Sequence, residues 1–184
     1  RWHLTKVDSA TVRTLAYANH LSLPIAEVLA ARGMATDEQV RSFLFGSYEQ
    51  NVPHGLLLKG MDTAATRIIN AIERKEKILI FGDYDVDGVT ASSMCLAALL
   101  PLGANINFFL PNREKDGYGL SEKAVTQAHK NNYALIITVD NGISAFAAAE
   151  KAAKLGVDLI ITDHHKAHGH LPPALAIVNP NQSD

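Results

Sequence analysis

Asp83-Tyr84-Asp85-Val86-Asp87-Gly88 sets three carboxylates at alternate positions directly after an apolar run, Ile78-Leu79-Ile80-Phe81. The same pattern recurs downstream. Asp140-Asn141-Gly142 follows Leu135-Ile136-Ile137-Thr138-Val139, and Asp163-His164-His165 follows the run from Val157 to Thr162. A further run, Ile106 to Leu110, leads into Pro111-Asn112-Arg113 and then Gly117-Tyr118-Gly119-Leu120. One aspartate after a strand is ordinarily a cap or a turn residue. Several brought to one place repel each other unless positive charge offsets them. Carboxylate oxygens with some imidazole suit Mn²⁺ or Mg²⁺. Two such ions bridged by a shared carboxylate perform metal-dependent phosphoester hydrolysis.

Other metals fit less well. His164, His165, His168 and His170 are close enough in sequence to suggest zinc, but there is no HExxH and no cysteine pair. His168 and His170 read as loop residues. Asp83-x-Asp85-x-Asp87-Gly88 opens like a calcium loop, yet its twelfth position is Met94 rather than Glu, and the segment follows a strand instead of a helix. A dinucleotide-binding module would show GxGxxG after the first strand, and that is absent.

The elements that must carry these residues alternate between strand and helix. Expected strands are 78–81, 106–110, 135–139, 157–162 and 175–178. Between them come helices at 91–100, 121–130 and 144–155, the last ended by Gly156. Asp62 is expected to cap the helix that precedes the first strand. Strands buried on both faces are continuously apolar, as these are. The expected fold is therefore α/β: a doubly wound, mostly parallel sheet with helices on both faces, over residues 61–184. In such sheets ligands bind beyond the carboxyl ends of the strands, where the acids fall. Residues 1–60 read as a helical lead-in without chemistry. Pro24 opens one helix that stops near Gly33, and Thr36-x-x-Gln39 has capping-box spacing.

Composition sets outer limits. The 184 residues are 47% hydrophobic, with 17 Lys and Arg against 19 Asp and Glu. That balance neither advertises nor excludes a nucleic-acid partner. The single cysteine, Cys95, reads as a core residue and fits a reducing, cytoplasmic setting. No apolar run reaches the ~20 residues a membrane span needs. Asn181-Gln182-Ser183 matches a glycosylation acceptor, a tripeptide common by chance. The chain does not start with Met, and a piece of a longer protein is the expectation.

The four clusters, in order and each after a strand, resemble the DHH phosphoesterases in their RecJ branch. The segment 82–88 is similar to the first family motif, Pro111-Asn112-Arg113 with Gly117-Tyr118-Gly119-Leu120 to the second, Thr138 to Ile143 to the third, and Asp163-His164-His165 to the signature that names the family. Leu171-Pro172 and Asn179-Pro180 also fit the branch. The resemblance implies a Mn²⁺- or Mg²⁺-dependent exonuclease. It would degrade single-stranded DNA 5′ to 3′ in repair and recombination, as a monomer beside a helicase and a single-strand-binding protein. By the same resemblance Asp85, Asp87 and His164 are metal ligands, Asp140 bridges the ions, and Asp83 is a ligand or a supporting acid. His165 would lie near the phosphate or support the ligands from behind them, and Asp163 would orient a neighbouring imidazole rather than bind metal. Arg113 would hold a backbone phosphate, and Tyr118 would stack on a base or pack in its loop.

Related phosphoesterases of oligonucleotides, pAp or cyclic dinucleotides carry a His at the position held here by Phe81, and a non-catalytic replication scaffold of this family has lost much of its metal site. The family also has a later metal-binding acid, a DHHA1 domain and an OB-fold that this stretch does not include. Little activity is expected of the 184 residues alone.

Overall fold

The computed structural model describes residues 3, 5–112, 114, 117–167 and 169–182. Arg113 and His168 lie outside the described residues, as does Ser183 of the glycosylation tripeptide. The chain divides into two compact units, Arg1–His54 and Gly55–Asp184.

The first unit holds helices α1 (Ser9–Ala18), α2 (Leu23–Ala31), α3 (Asp37–Phe45) and a single turn, α4 (Tyr48–Asn51). Val12, Leu15, Ala26, Leu29 and Val40 form its core. The chain's polar signals mark the helix starts. Asp8 caps α1 by accepting from the Thr11 amide at 2.8 Å, and that amide holds its carboxyl below the usual range. Pro24 opens α2, and Thr36 with Gln39 forms the expected capping box.

The second unit begins with α5 (Met61–Glu73) and continues as β1 (Lys77–Phe81), α6 (Val86–Leu99), β2 (Asn105–Phe109), α7 (Glu122–Lys130), β3 (Tyr133–Val139), α8 (Phe146–Leu155), β4 (Asp158–Thr162) and β5 (Ala176–Val178). All five strands are parallel, in the order β2-β1-β3-β4-β5. This is a doubly wound sheet whose order reverses between β1 and β3, and a crevice opens at such a switch point. One face buries Ile78, Ile80, Leu135, Ile137 and Ile160 against Ala64 and Ala71 of α5 and part of α6, Cys95 included. Burial pushes the Cys95 thiol up. The other face buries Leu79, Phe81, Ile136 and Ile161 against Val125 of α7 and Ala148 and Ala152 of α8. Alternate residues of β1, β3, β4 and β5 therefore serve opposite cores, which explains their apolar runs; β2, expected to be buried on both faces, lies at the edge of the sheet and buries only Ile106.

Two expected helix starts move. Asp62 does not cap α5. Gly60 occupies that position with φ +82°, and a side chain there would run into the Ile177 carbonyl. Asp62 lies in the first turn instead, where its charge suits the helix dipole. Helix α6 begins at Val86, five residues before the expected Ala91, because Asp85 caps it. At the far edge of the sheet Arg67 Nε donates to Asp158 Oδ2 at 2.6 Å and the same guanidinium meets Glu76 at 2.7 Å, tying α5 to the starts of β1 and β4. No helix among the described residues is long and apolar enough to cross a membrane.

Candidate metal centre

The carboxyl ends of β1, β3 and β4 carry the predicted acids and imidazoles to the switch point. Asp83 follows Gly82 after β1 and is buried, its Oδ1 accepting from the Tyr84 amide at 2.8 Å. Asp85 caps α6, accepting from the Asp87 and Gly88 amides at 2.9 and 3.2 Å through one oxygen. Asp140 follows β3 in the left-handed region, φ +63°, which Asp tolerates better than most side chains. Next to it Asn141 is wholly buried and its Nδ2 donates to the carbonyls of Phe81 and Val139 at 3.1 and 3.0 Å. That amide ties the last residue of β1 to the last residue of β3, so the two acid-bearing loops keep a fixed spacing.

Asp163 spends both oxygens on its surroundings. Oδ1 accepts from the His164 and His165 amides at 2.7 and 3.0 Å and meets His165 Nδ1 at 2.7 Å, while Oδ2 accepts from the Ile143 amide at 2.9 Å. Burial raises this carboxyl, but the backbone donors outweigh it and hold it below the usual range. The hydrogen bond to Asp163 in turn raises His165 and fixes the orientation of its ring through Nδ1.

The ligand atoms fall into two groups. Asp83, Asp85 and Asp140 offer oxygens within 4.8 Å of one another, and so do Asp140, His164 and His165 with oxygen and nitrogen. Asp140 belongs to both. Burial and the facing Asp85 push the Asp140 carboxyl up, partly offset by His164. Asp85 is lowered, chiefly by the Gly88 amide and also by a hydrogen bond with Asp140. The metal-free pair thus favours a proton where two carboxylates meet. Asp140 Oδ1 also lies 2.9 Å from His164 Nε2. Adjacent ligands of an octahedral ion with ~2.1 Å bonds stand about 3 Å apart, so the donor set and its spacing fit a cation in place of those protons.

The other predicted residues divide. Asp87 is exposed and stands outside both groups, in the first turn of α6. It shares a shallow cleft of about 420 Å³ with Asp140, Asp163 and His164. Tyr118 presents its ring edge-on to His165, centroids 6.3 Å apart. Burial and the charges of Asp163, Asp83, Asp140 and Asp85 raise its phenol to about 12. Arg113 lies outside the described residues. His170 packs against Phe146, centroids 4.5 Å apart, away from both groups. The sequence reading gave no role to the amides of Asn141, Asn179 and Asn181. The available signal was an Asn at the end of β5, on the same sheet edge as the acids.

Asp163 yields a stability prediction for the chain in EDTA. In D163N the amide presents N–H groups to donors and the loop loses acceptors, costing about 3 kcal/mol at pH 7. Chemical denaturation should read that loss. The native carboxyl sits below the unfolded value of about 3.9. Its contribution is therefore complete above that value and fades as pH falls through the native pKa. The gap between parent and variant should narrow as pH falls through the native pKa, and a gap that stays constant with pH would contradict the assignment.

Comparisons with known proteins give the family and the fold. The model of the DHH family, N-terminal domain, matches residues 77–184. The single-stranded-DNA-specific exonuclease RecJ of Bacillus subtilis is 42% identical over 182 residues, covering 99% of this chain and 23% of the relative. A crystal structure of exonuclease RecJ bound to manganese superposes with a TM-score of 0.64 at 36% identity, covering 70% of this chain and 33% of that one. RecJ from Thermus thermophilus in complex with Mn²⁺ gives a TM-score of 0.66 at 28% identity, covering 96% and 24%. The chain thus spans about a quarter of the length of the Bacillus subtilis protein, 23%.

Proposed function

The chain belongs to the DHH family, and we propose that its residues 61–184 form the phosphoesterase domain that holds the two-metal centre of a 5′-to-3′ exonuclease acting on single-stranded DNA in repair and recombination. The observation that carries this reading is the membership of Asp140 in both ligand groups. One carboxylate serving two cation positions is what two-metal phosphoester hydrolysis requires. The names and bound manganese of the relatives support the choice of substrate and ion, and the oxygen-rich ligand set accepts Mn²⁺ or Mg²⁺.

Bound cations would supply Lewis acidity toward the phosphate and activation of a water. The chain's own residues do the rest. Asp83, Asp85 and Asp140 gather negative charge at the switch point, Asp87 adds to it from the cleft wall, and His164 completes the set. His165, its Nδ1 held by Asp163, offers Nε2 to an ion or a phosphate oxygen. Tyr118 stays protonated at neutral pH, so it can donate a hydrogen bond or lend its ring to a base. Arg113 suits a backbone phosphate, since its forked donors match phosphate oxygens. The proposal extends to a monomer in the cytoplasm, working beside a helicase and a single-strand-binding protein.

The acidic edge repels phosphate when no cation is present. Single-stranded DNA should therefore bind only with Mn²⁺ or Mg²⁺ added and leave on chelation. The test uses the protein at the length of its relatives, with 5′-labelled single-stranded and duplex DNA. The expected result is Mn²⁺-dependent release of nucleotides from the 5′ end of single strands, abolished by EDTA. Turnover of pyrophosphate, pAp or a cyclic dinucleotide with DNA untouched would replace this reading by another within the family.

A further inference from the structure

We infer that Asn179 and Asn181 are positioning residues for the imidazole-bearing loop, their side-chain amides gripping consecutive backbone carbonyls of His165 and His164. Asn179 is 2% exposed, and its Nδ2 donates to the His165 carbonyl at 2.9 Å. Asn181 Nδ2 donates to the His164 carbonyl. The two asparagines are locked to each other, since Asn179 Oδ1 accepts from the Asn181 amide at 2.8 Å. Gln182 closes the turn, donating through Nε2 to the Ile177 carbonyl at 2.8 Å. Strand β5 brings this segment alongside the loop. It pairs with β4 from Ile160↔Ala176 to Thr162↔Val178, and the Asp163 amide extends the ladder to the Val178 carbonyl at 3.1 Å.

The backbone of residues 164 and 165 is thereby held from both sides. Asp163 accepts from both amides, and the two asparagines donate to both carbonyls. Neither peptide can rotate without breaking a bond, so the rings keep their direction toward Asp140. The chemistry of the grip follows from the site. Carbonyl oxygens need an N–H donor, and Lys or Arg would set a positive charge beside a place built to attract cations. An asparagine donates without charge. Partners that orient ligand groups in this way are typically worth about 10–100-fold in metal affinity.

This inference rests on the reading that Asp140, His164 and His165 hold a cation, and the test separates the two. Calorimetric titration of the protein at the length of its relatives with MnCl₂ gives the affinity, and thermal unfolding in EDTA gives the stability of the metal-free fold. N181A is the principal variant, because its side chain is exposed and its backbone amide survives. It should keep the metal-free Tm within about 2 °C, as exposed substitutions do, and bind Mn²⁺ about fivefold more weakly, the equivalent of one hydrogen bond. N179A should lose about tenfold or more. N181Q, which keeps an amide, should recover part of the N181A loss. A purely structural role would lower Tm and leave the affinity of the folded protein unchanged. Parental affinity in N181A, with Mn²⁺ binding still abolished by D140N, would overturn the positioning role alone. A parent chain that binds no Mn²⁺, or a D140N chain that binds it normally, would overturn the metal reading and this inference with it.

Discussion

D140N is expected to lose Mn²⁺ binding by at least about 100-fold, more than the loss of a supporting contact, while its metal-free fold stays as stable as the parent or gains up to about 3 °C in Tm. The two effects have opposite signs for one reason. Asp140 supplies an oxygen to both ligand groups, so neutralising it weakens both cation positions together. In the metal-free chain the same charge is a burden, because burial and the facing Asp85 push its carboxyl up. Asn occupies the left-handed region as readily as Asp, and its oxygen can still accept from His164. The backbone at φ +63° is therefore undisturbed. Saturating Mn²⁺ at a hundred times its Kd should stabilise the parent by about 2.7 kcal/mol, roughly 5–10 °C in Tm. D140N should show none of that gain, and a variant stabilised as much as the parent would remove Asp140 from the centre.

G88A should be among the most damaging single-methyl changes in the chain. Gly88 sits in the first turn of α6, pressed on the backbone of Asp83. A Cβ there would lie 2.6 Å from the Asp83 Cα and closer still to its nitrogen. No side chain can swing away to relieve this, since the opposing atoms are main chain. The loop and the helix must separate, which costs about 3 kcal/mol and about 6–12 °C in Tm. The separation also pulls the Asp85 cap off the Asp87 and Gly88 amides, so Mn²⁺ affinity falls with stability. G55A is the matched control, because an added Cβ there meets nothing within 4 Å, and it should be silent in both measurements. Thermal unfolding with and without Mn²⁺ reads both outcomes. A G88A chain that melts and binds like G55A would contradict the close approach.

Much of this was readable in the residues. The inner strands announced themselves because two-sided burial makes them continuously apolar, and they ended in chemistry because parallel strands point their carboxyl ends the same way. The start of α6 was hidden. Val86-Asp87-Gly88-Val89 lacks an amphipathic period, and Asp-x-Asp-x-Asp reads as a loop until Asp85 is seen as a cap. The division of ligands was hidden too. That Asp140 serves both groups depends on register between β1, β3 and β4, with Ile80 beside Ile137 and Ile137 beside Ile160, and no local pattern encodes it. Asp87 lies in the first turn of α6 and shares the cleft of Asp140 and His164, a placement the alternation along the chain does not convey. The asparagines carry no role in the sequence because a neutral amide after a strand looks like a turn residue. Only the carbonyls they meet reveal their use.

Anomalous diffraction at the manganese edge from crystals of the protein at the length of its relatives, soaked in MnCl₂, bears most directly on the centre. The expected maps hold two peaks flanking the Asp140 carboxylate, one contacted by Asp83 or Asp85 and the other by His164. Peaks elsewhere, or none while Asp140 stays hydrogen-bonded to His164, would mean that these side chains gather for some purpose other than holding cations.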